Sequence, residues 1–270
     1  YIEYNGRLYF GFTPNLRLYF NHTINDGIPA SNKVDMDYTR AIFGYTSKDG
    51  KASDGRKSRV SFSDAIMVAG SSRPGKNQKA VLGGPKPTSF YDYLAQPDPA
   101  HVTTYNDDNL QIRGYKQYWL HDEAKDFSTG DVINKNEKVS SGFTPLTKGA
   151  VFKGNIHFNN LREDELGLLL WSIRLEEESE QNVGKAKAYG YGRIKIVIDD
   201  LKIMDLKKMY DADFLNFSPY QEIKDTTSKV NDLIMSYKTT MSQAIGYDIM
   251  TDRSIGQFLV MKNSKLIGNR

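Results

Sequence analysis

The chain has 270 residues and a formal net charge of +3, with 36 lysines and arginines against 33 aspartates and glutamates. This excess is too small for a uniformly basic nucleic-acid binder, so any such contact would have to come from local basic patches. The absence of cysteine excludes disulfide scaffolds, thiolate zinc sites and thiol nucleophiles. We find no signal-peptide pattern and no apolar run of about 18 residues, so we expect a cytoplasmic protein without a membrane partner.

The first predicted elements are two or three strands within Tyr1–Asn21. Asn5-Gly6 lies between aromatic and β-branched residues, which is typical of a hairpin turn, and Thr13-Pro14-Asn15 indicates a second turn. The aromatic residues of this segment are interpreted as strand-face packing.

A polar loop follows from His22 to Asp37 and contains Asp26 and Asp35. An aspartate in such a loop can bind a divalent cation or position a carboxylate beside a scissile phosphate. The alternative is that each is a turn residue or a helix N-cap. The candidate catalytic residues of the chain are therefore Asp26, Asp35 and Asp37.

Two basic segments come next. A polar insert at Thr46–Lys57 precedes an alternating strand, Arg59–Met67, whose first residue could reach a phosphate backbone. Ser71–Leu94 is basic and interrupted by glycine and proline, which indicates a protruding finger that contacts a partner. A solvated surface loop is the alternative for both segments. The candidate RNA-binding residues here are Arg59, Arg73, Lys76 and Lys86.

Gln111–Leu120 is predicted to be a strand, and its Arg113 is a further RNA-binding candidate. His121-Asp122-Glu123 follows it. We do not interpret this triplet as a metal site, because consecutive residues of a strand point to opposite faces. Lys125–Gly142 is predicted to be a polar loop or an insertion.

Val151–Phe158 alternates as a strand, and a helix is predicted after it. Asn160 is the expected N-cap, and Glu163–Glu165 suit the positive N-terminal end of a helix. The predicted core face of this helix consists of Leu166, Leu169, Leu170 and Ile173.

Val183–Ile198 interleaves glycines with basic and aromatic residues and then becomes a β-branched strand. Glycine allows positive φ and close approach of a ligand, whereas lysine, arginine and tyrosine supply phosphate contacts and stacking faces. The known mononucleotide-binding patterns are absent, so the composition favours a polynucleotide. A tight turn between two elements is the alternative. The RNA-binding candidates are Lys185, Lys187, Tyr189, Tyr191 and Arg193.

The order of strand, helix, glycine loop and strand favours an α+β, ferredoxin-like module over a doubly wound parallel sheet. The remainder, Ser218–Arg270, is predicted to be mostly helical, with Pro219 in the first turn of a long helix. Its partial apolar stripe consists of Ile223, Val230, Ile234 and Tyr237.

Five segments in this order resemble the CRISPR-associated RAMP proteins, particularly the backbone subunits of type III effector complexes and the larger single-chain RAMP proteins. They are IFG and SRVSFSDA within Ile42–Ala65, GGPKPTSFYDYL at Gly83–Leu94, RGYKQYW at Arg113–Trp119, VFKGNIHFNNLREDELGLLLWSI at Val151–Ile173, and VGKAKAYGYGRIKI at Val183–Ile196. The family's opening strand and IPGSSLRG-type segment have no counterpart. That part either precedes Tyr1 or has been lost, and we interpret the chain as the C-terminal portion of a larger member.

The resemblance implies an RRM-like domain over residues 1–217, with insertions near 46–57, 71–110 and 121–142, and a C-terminal helical extension over 218–270. It also implies guide-RNA (crRNA) binding through the glycine-rich loop, in an antiviral effector complex with complementary target RNA and other CRISPR subunits. Two alternatives stay open. One is an endoribonuclease, which alone would need Mg²⁺ as a cofactor. The other is a protein-binding scaffold that uses Met235, Met241 and Met250.

Overall fold

The computed structural model describes residues 1–4, 6–12, 18–28, 36–46, 55–70, 74–127, 140–211 and 219–269. Two compact units are present. The first combines Tyr1–Asp35 with Gly83–Lys116, and the second combines Met36–Leu82 with Gln117–Arg270. The segment predicted to be a finger, Ser71–Leu94, is thus divided between the units.

Short strands and helices of varied length alternate along the chain. The strands are β1 (Ile2–Tyr4), β2 (Arg7–Tyr9), β3 (Val60–Phe62), β4 (Ile66–Ala69), β5 (Gln78–Val81), β6 (Ser140–Phe143), β7 (Val151–Lys153), β8 (Ile156–Phe158), β9 (Gln181–Asn182) and β10 (Arg193–Ile194). The helices are α1 (Tyr38–Phe43), α2 (Phe90–Tyr93), α3 (Glu163–Arg174), α4 (Leu206–Asp211), α5 (Thr226–Ile245) and α6 (Arg253–Lys262).

The first unit contains the predicted N-terminal hairpin. β1 and β2 pair antiparallel, and Gly6 in the turn has φ +71°, a conformation that glycine adopts without strain. A small core of Leu94, Tyr105 and Leu110 forms elsewhere in this unit, with Phe20 and Phe90 packed against it. The predicted turn at Thr13-Pro14-Asn15 lies outside the described residues.

The prediction of a regular strand at Gln111–Leu120 is wrong. Ile112 makes an isolated bridge to Leu94, and the Arg113 backbone N–H donates to the carbonyl of Tyr93. Gly114 then has φ +118°, which takes the backbone out of the extended region.

An α+β architecture is confirmed at the level of mixed helices and antiparallel strands. β3 pairs with β8 and β4 with β7, so the predicted strands Arg59–Met67 and Val151–Phe158 lie side by side, but each is interrupted. The interruption falls where Gly154 passes close to Ala65. A Cβ at Gly154 would lie 3.3 Å from the Ala65 Cα. All strand pairs among the described residues are two-stranded, so a ferredoxin-like sheet stays a prediction.

The core of the second unit lies between α3 and α5. The predicted face of α3 is confirmed, because Leu166, Leu169 and Leu170 are buried and Ile173 packs at the edge of the cluster. Helix α3 begins at Glu163 rather than after Asn160. Asn160 has φ +52°, and the Glu165 carboxylate instead accepts a hydrogen bond from the backbone N–H of Arg162 at 2.8 Å.

Helix α5 supplies the other side of this core through Val230, Leu233, Ile234 and Tyr237. It begins at Thr226, not at Pro219, because the Asp225 carboxylate accepts a hydrogen bond from the Ser228 N–H at 3.1 Å and caps the helix there. Within the ranges that the structure describes, no helix combines the length and the apolar character needed to cross a membrane.

The methionines of the scaffold alternative do not share one exposed surface. Met235 is 61% exposed, whereas Met241 and Met250 pack against the core of the second unit. The contacts of these two side chains are intramolecular, as expected for most methionines at helical spacing.

Candidate nucleic-acid interface

The glycine-rich stretch forms a hairpin in the second unit. β9 and β10 pair antiparallel, and the Val183 N–H donates to the Gly192 carbonyl at 2.8 Å. A single 3₁₀ turn, Lys187–Tyr189, occupies the tip. The three glycines predicted to give the loop its shape all have positive φ: Gly184 +79°, Gly190 +88° and Gly192 +74°.

Gly192 lies where the two arms of this hairpin touch. A Cβ at this position would lie 1.7 Å from the Val183 carbonyl oxygen, whereas a Cβ at Gly184 would meet no atom within 4 Å. Both residues have a similar positive φ. Comparing an alanine substitution at each position therefore separates the effect of steric conflict from that of backbone strain.

We expect Gly192→Ala to lower the free energy of unfolding by about 3 kcal/mol, because it adds overpacking to the cost of positive φ. Gly184→Ala is the matched control and should cost only about 1 kcal/mol. Urea unfolding followed by tryptophan fluorescence measures both. Equal losses in the two variants would contradict the close approach at Gly192.

The two tyrosines of the loop anchor it to neighbouring segments. The Tyr189 hydroxyl donates to the Val81 carbonyl at 3.1 Å, and its ring stacks edge-on to Phe127 at 4.9 Å. The Tyr191 hydroxyl donates to the Lys125 carbonyl at 2.9 Å. Burial and the nearby Asp126 raise the pKa of Tyr191. Both hydroxyls therefore hold the loop in place. A base could stack only on the half-buried ring faces of these two tyrosines.

Two of the predicted cations are also engaged within the chain. The Arg193 guanidinium pairs with Glu180, and its hydrogen bond to that carboxylate raises the pKa of Arg193. The Lys187 ammonium donates to the Gly184 carbonyl at 2.8 Å and lies 5.4 Å from the centre of the Tyr118 ring. These contacts stiffen the hairpin and reduce the donors that a phosphate could use.

Lys185 differs from the other loop residues. Its side chain is exposed, and no hydrogen bond or ion pair to another described residue is present. The preceding Gly184 and the buried, left-handed Ala186 (φ +58°) fix the backbone on either side of it. Of the predicted loop residues, Lys185 is the one with an ammonium available to a phosphate.

A large open groove begins at this lysine. Its volume is about 1990 Å³, and it runs between the β7–β8 segment and the chain that follows the hairpin, residues 193–204. Apolar side chains of α3 form the floor. Exposed lysines line the rim: Lys148, Lys153, Lys185, Lys195 and Lys202.

The rim carries more positive than negative charge. Its aspartates, Asp199 and Asp200, are paired with Lys153 at 3.4 Å and Lys202 at 3.5 Å. Lys148, Lys185 and Lys195 form no ion pair within the described part of the chain, although the charge of Lys195 contributes to the lowered pKa of Glu178. The sequence patterns do not single out Lys148 or Lys195, although the alternation of Ile194, Lys195 and Ile196 carries a signal for an outward-facing lysine.

Arg59 lies in a different environment. Its guanidinium forms a fork with Glu165, with Nη2 to Oε1 at 2.5 Å and Nη1 to Oε2 at 3.0 Å. The Nε atom donates to the Ala41 carbonyl at 2.8 Å, and Nη1 also donates to the Asn160 carbonyl at 2.6 Å. An RNA contact through Arg59 would compete with this network.

The remaining basic candidates are dispersed. Lys76 is exposed in the second unit, and Lys86 is exposed in the first. Arg113, also in the first unit, donates from Nη1 to the Tyr91 carbonyl at 2.6 Å. Arg73 lies outside the described residues, as does the acidic candidate Asp35.

The two described catalytic candidates serve as caps, which is the alternative that the sequence left open. The Asp26 carboxylate accepts hydrogen bonds from the Thr23 N–H at 2.7 Å and the Thr23 hydroxyl at 3.0 Å, and these bonds lower the pKa of Asp26. The Asp37 carboxylate accepts from the Arg40 N–H at 2.7 Å and caps α1. The described ranges contain no cluster of three or more histidine or acidic side chains suited to a metal ion.

No protein-family model matches the chain, and a comparison with curated proteins gives no match.

Proposed function

We propose that this chain binds guide RNA as a RAMP-type subunit of a type III-like CRISPR effector complex. The observation that carries the proposal is the exposed ammonium of Lys185 at a rigid glycine hairpin, at the start of a lysine-lined groove. Lys148 and Lys195 extend this charge along the rim and form no ion pair in the described part of the chain.

The order of the elements supports the same proposal. If β5, α2 and β6 are counted as part of an insertion between β4 and β7, the order is α1, the β3–β4 segment, the β7–β8 segment, α3 and the glycine hairpin with its following chain. This is the order of a β-α-β-β-α-β module after its first strand. An RRM-like arrangement is therefore our proposed fold for the second unit.

RNA binding here depends on the backbone more than on the bases. The tyrosine hydroxyls of the loop are engaged with backbone carbonyls, and lysine ammonium groups act on phosphates as point charges. Contacts of this kind position a strand without reading its sequence. They suit a subunit that must bind guides of differing sequence, while base pairing selects the target RNA.

The proposal is tested by fluorescence anisotropy with labelled CRISPR-repeat RNA. Lys185→Glu should weaken binding by about tenfold, because it replaces a phosphate contact by repulsion. With Lys148→Glu and Lys195→Glu added, the loss should reach about a hundredfold. Lys224→Glu, at an exposed lysine away from the groove, is the matched control and should bind as the unmodified chain does.

Salt dependence gives a second, independent readout. Three phosphate contacts on a single strand predict a slope of log affinity against log salt of about −2, since each contributes about −0.7. The triple variant should lose most of this slope. Affinity that is insensitive to salt, or equally reduced by Lys224→Glu, would refute the proposal.

Sizing the RNA after the titration, with and without Mg²⁺, tests the nuclease alternative. Intact RNA supports a binding role alone. If RNA is shortened with Mg²⁺ and the cleavage persists in Asp26→Ala and Asp37→Ala variants, neither described aspartate is the catalytic residue.

A further inference from the structure

A buried lysine contacts the first arm of the glycine hairpin. Lys262, the last residue of α6, is only 4% exposed. Its ammonium donates to the Asn182 side-chain oxygen Oδ1 at 2.5 Å and to the Tyr118 backbone carbonyl at 3.2 Å. Both acceptors are neutral, and Lys262 forms no ion pair within the described ranges. Burial and the nearby charge of Lys187 lower the pKa of Lys262.

A buried ammonium without a carboxylate costs more free energy than an apolar side chain in the same place. Hydrogen bonds to neutral oxygens offset only part of the loss of hydration. Methionine has a similar length and would fill the space without this cost. Core stability therefore does not account for Lys262. What distinguishes its ammonium from an apolar side chain is the set of segments that it joins.

These segments are the end of α6, the first arm of the hairpin and the chain around Tyr118. Asn182 is the last residue of β9 and directly precedes the hairpin loop. The ring of Tyr118 lies 5.4 Å from the Lys187 ammonium at the hairpin tip. Lys262 thus contacts the arm itself through Asn182, and it contacts a neighbour of the tip through Tyr118.

The backbone hydrogen bonds between α6 and this arm involve the residues just before β9. The Glu180 N–H donates to the Lys262 carbonyl at 2.9 Å, and the Ser264 N–H donates to the Glu178 carbonyl at 2.8 Å. The side chain of Lys262 carries the attachment further along the chain, to Asn182. It therefore acts at the point where the chain leaves β9 and enters the loop.

We propose that Lys262 is a positioning residue for RNA binding: its buried ammonium holds the first arm of the glycine hairpin against α6 and thereby fixes where Lys185 presents its charge. This inference rests on the proposed function and deepens it, because it makes α6 a support of the RNA site. Lys185 follows Asn182 by three residues, so a displaced arm displaces the phosphate contact with it. The attraction between two charges weakens as their separation grows.

Lys262→Met in the full chain tests the proposal. We expect the affinity for labelled CRISPR-repeat RNA, measured by fluorescence anisotropy, to fall about tenfold, as it would if the competent orientation fell to about a tenth of the population. The slope of log affinity against log salt should stay unchanged, because the ordered hairpin contacts the same phosphates. Lys185→Glu, in contrast, should lower this slope.

Lys265→Met is the matched control. It removes the same charge from a neighbouring side chain that is 70% exposed and paired with Glu178, and it should bind RNA as the unmodified chain does. Hydrogen exchange separates local loosening from a general loss of stability. Lys262→Met should speed exchange of the Val183 and Tyr189 amides about tenfold and leave the amides of α3 unchanged.

Asn182→Leu provides the reciprocal test, because it removes the acceptor instead of the donor. It should lower the RNA affinity by a similar factor. The double variant with Lys262→Met should bind no more weakly than either single variant, since both remove the same contact. The double variant also leaves no unpaired ammonium, so it serves if a single variant does not fold. Losses that multiply in the double variant would overturn the proposal.

Failure of the proposed function gives a different result. An unmodified chain that does not bind repeat RNA, or that binds it equally after Lys185→Glu, refutes RNA binding at the hairpin. The exchange measurement on Lys262→Met needs no RNA and still decides whether α6 holds the hairpin. Exchange and RNA affinity in Lys262→Met that match those of Lys265→Met would overturn the positioning role.

Discussion

Gly167→Ala is expected to lower the free energy of unfolding by about 3 kcal/mol and the melting temperature by roughly 10 °C. Gly167 lies on α3 where this helix touches α5. A Cβ there would be 2.0 Å from the Leu233 carbonyl oxygen and 3.0 Å from the Tyr237 Cβ. The nearest atom belongs to a backbone, so relief requires that the two helices separate, which opens the largest core of the second unit.

Gly256→Ala on α6 is the matched control. It is also a helical glycine, but a Cβ there would meet no atom within 4 Å. Alanine has the higher helix propensity, so this variant should be more stable by up to about 1 kcal/mol. Thermal unfolding followed by circular dichroism measures both variants. A neutral or stabilising Gly167→Ala would show that α3 and α5 do not pack this closely.

The second large effect concerns the buried ion pair between Arg59 and Glu165. Their side chains are only 15% and 6% exposed. Replacing Arg59 by methionine leaves a buried carboxylate without its main partner, and the expected cost is about 3–5 kcal/mol. Arg56→Met, at an exposed neighbouring arginine, should change stability by less than about 0.5 kcal/mol.

A double-mutant cycle isolates the pair. Arg59→Met combined with Glu165→Met should be considerably more stable than Arg59→Met alone, because no unpaired charge is left in the core. If the double variant folds and still binds RNA normally, Arg59 is a structural residue. A loss of RNA affinity without a loss of stability would instead support the predicted phosphate contact.

The ion pair between Arg59 and Glu165 also makes the free energy of unfolding depend on pH in the acidic range. Burial raises the pKa of Glu165, but hydrogen bonds from Arg59 and the Arg162 backbone, with the charge of Arg59, outweigh it and hold the pKa below its ordinary 4.5. A carboxyl group with a lowered pKa stabilises the fold above its ordinary pKa and loses this effect as the pH falls. The stability difference between the unmodified chain and Glu165→Gln should therefore be constant near neutrality and shrink below about pH 4.5.

Local patterns in the sequence predicted the elements whose signals lie within one turn or one helix. Asn5-Gly6 predicted the first hairpin, and the spacing of Leu166, Leu169 and Leu170 predicted the buried face of α3. For α5 the prediction is confirmed at Val230, Ile234 and Tyr237, whereas Ile223 precedes the helix and the buried Leu233 was not predicted. Such features depend on the period of apolar residues and on turn chemistry, both of which are readable over a few neighbouring residues.

Element boundaries were less predictable because competing caps are close in energy. Pro219 is a valid first-turn residue, yet α5 begins after Asp225, whose carboxylate binds the Ser228 N–H. Likewise, Asn160 is not the N-cap of α3, because this helix begins at Glu163. The difference between two such starts is about 1 kcal/mol, which tertiary packing readily overrides.

Only the tertiary structure decided which charged side chains are available to contact a phosphate. Arg59 and Lys185 are equivalent candidates in the sequence, but Arg59 is paired with a glutamate 106 residues away, whereas Lys185 is exposed. Glycine, lysine and tyrosine in Val183–Ile198 indicate a loop that suits phosphates. Which cations remain available to a ligand depends on contacts between distant segments, and no local pattern encodes these contacts.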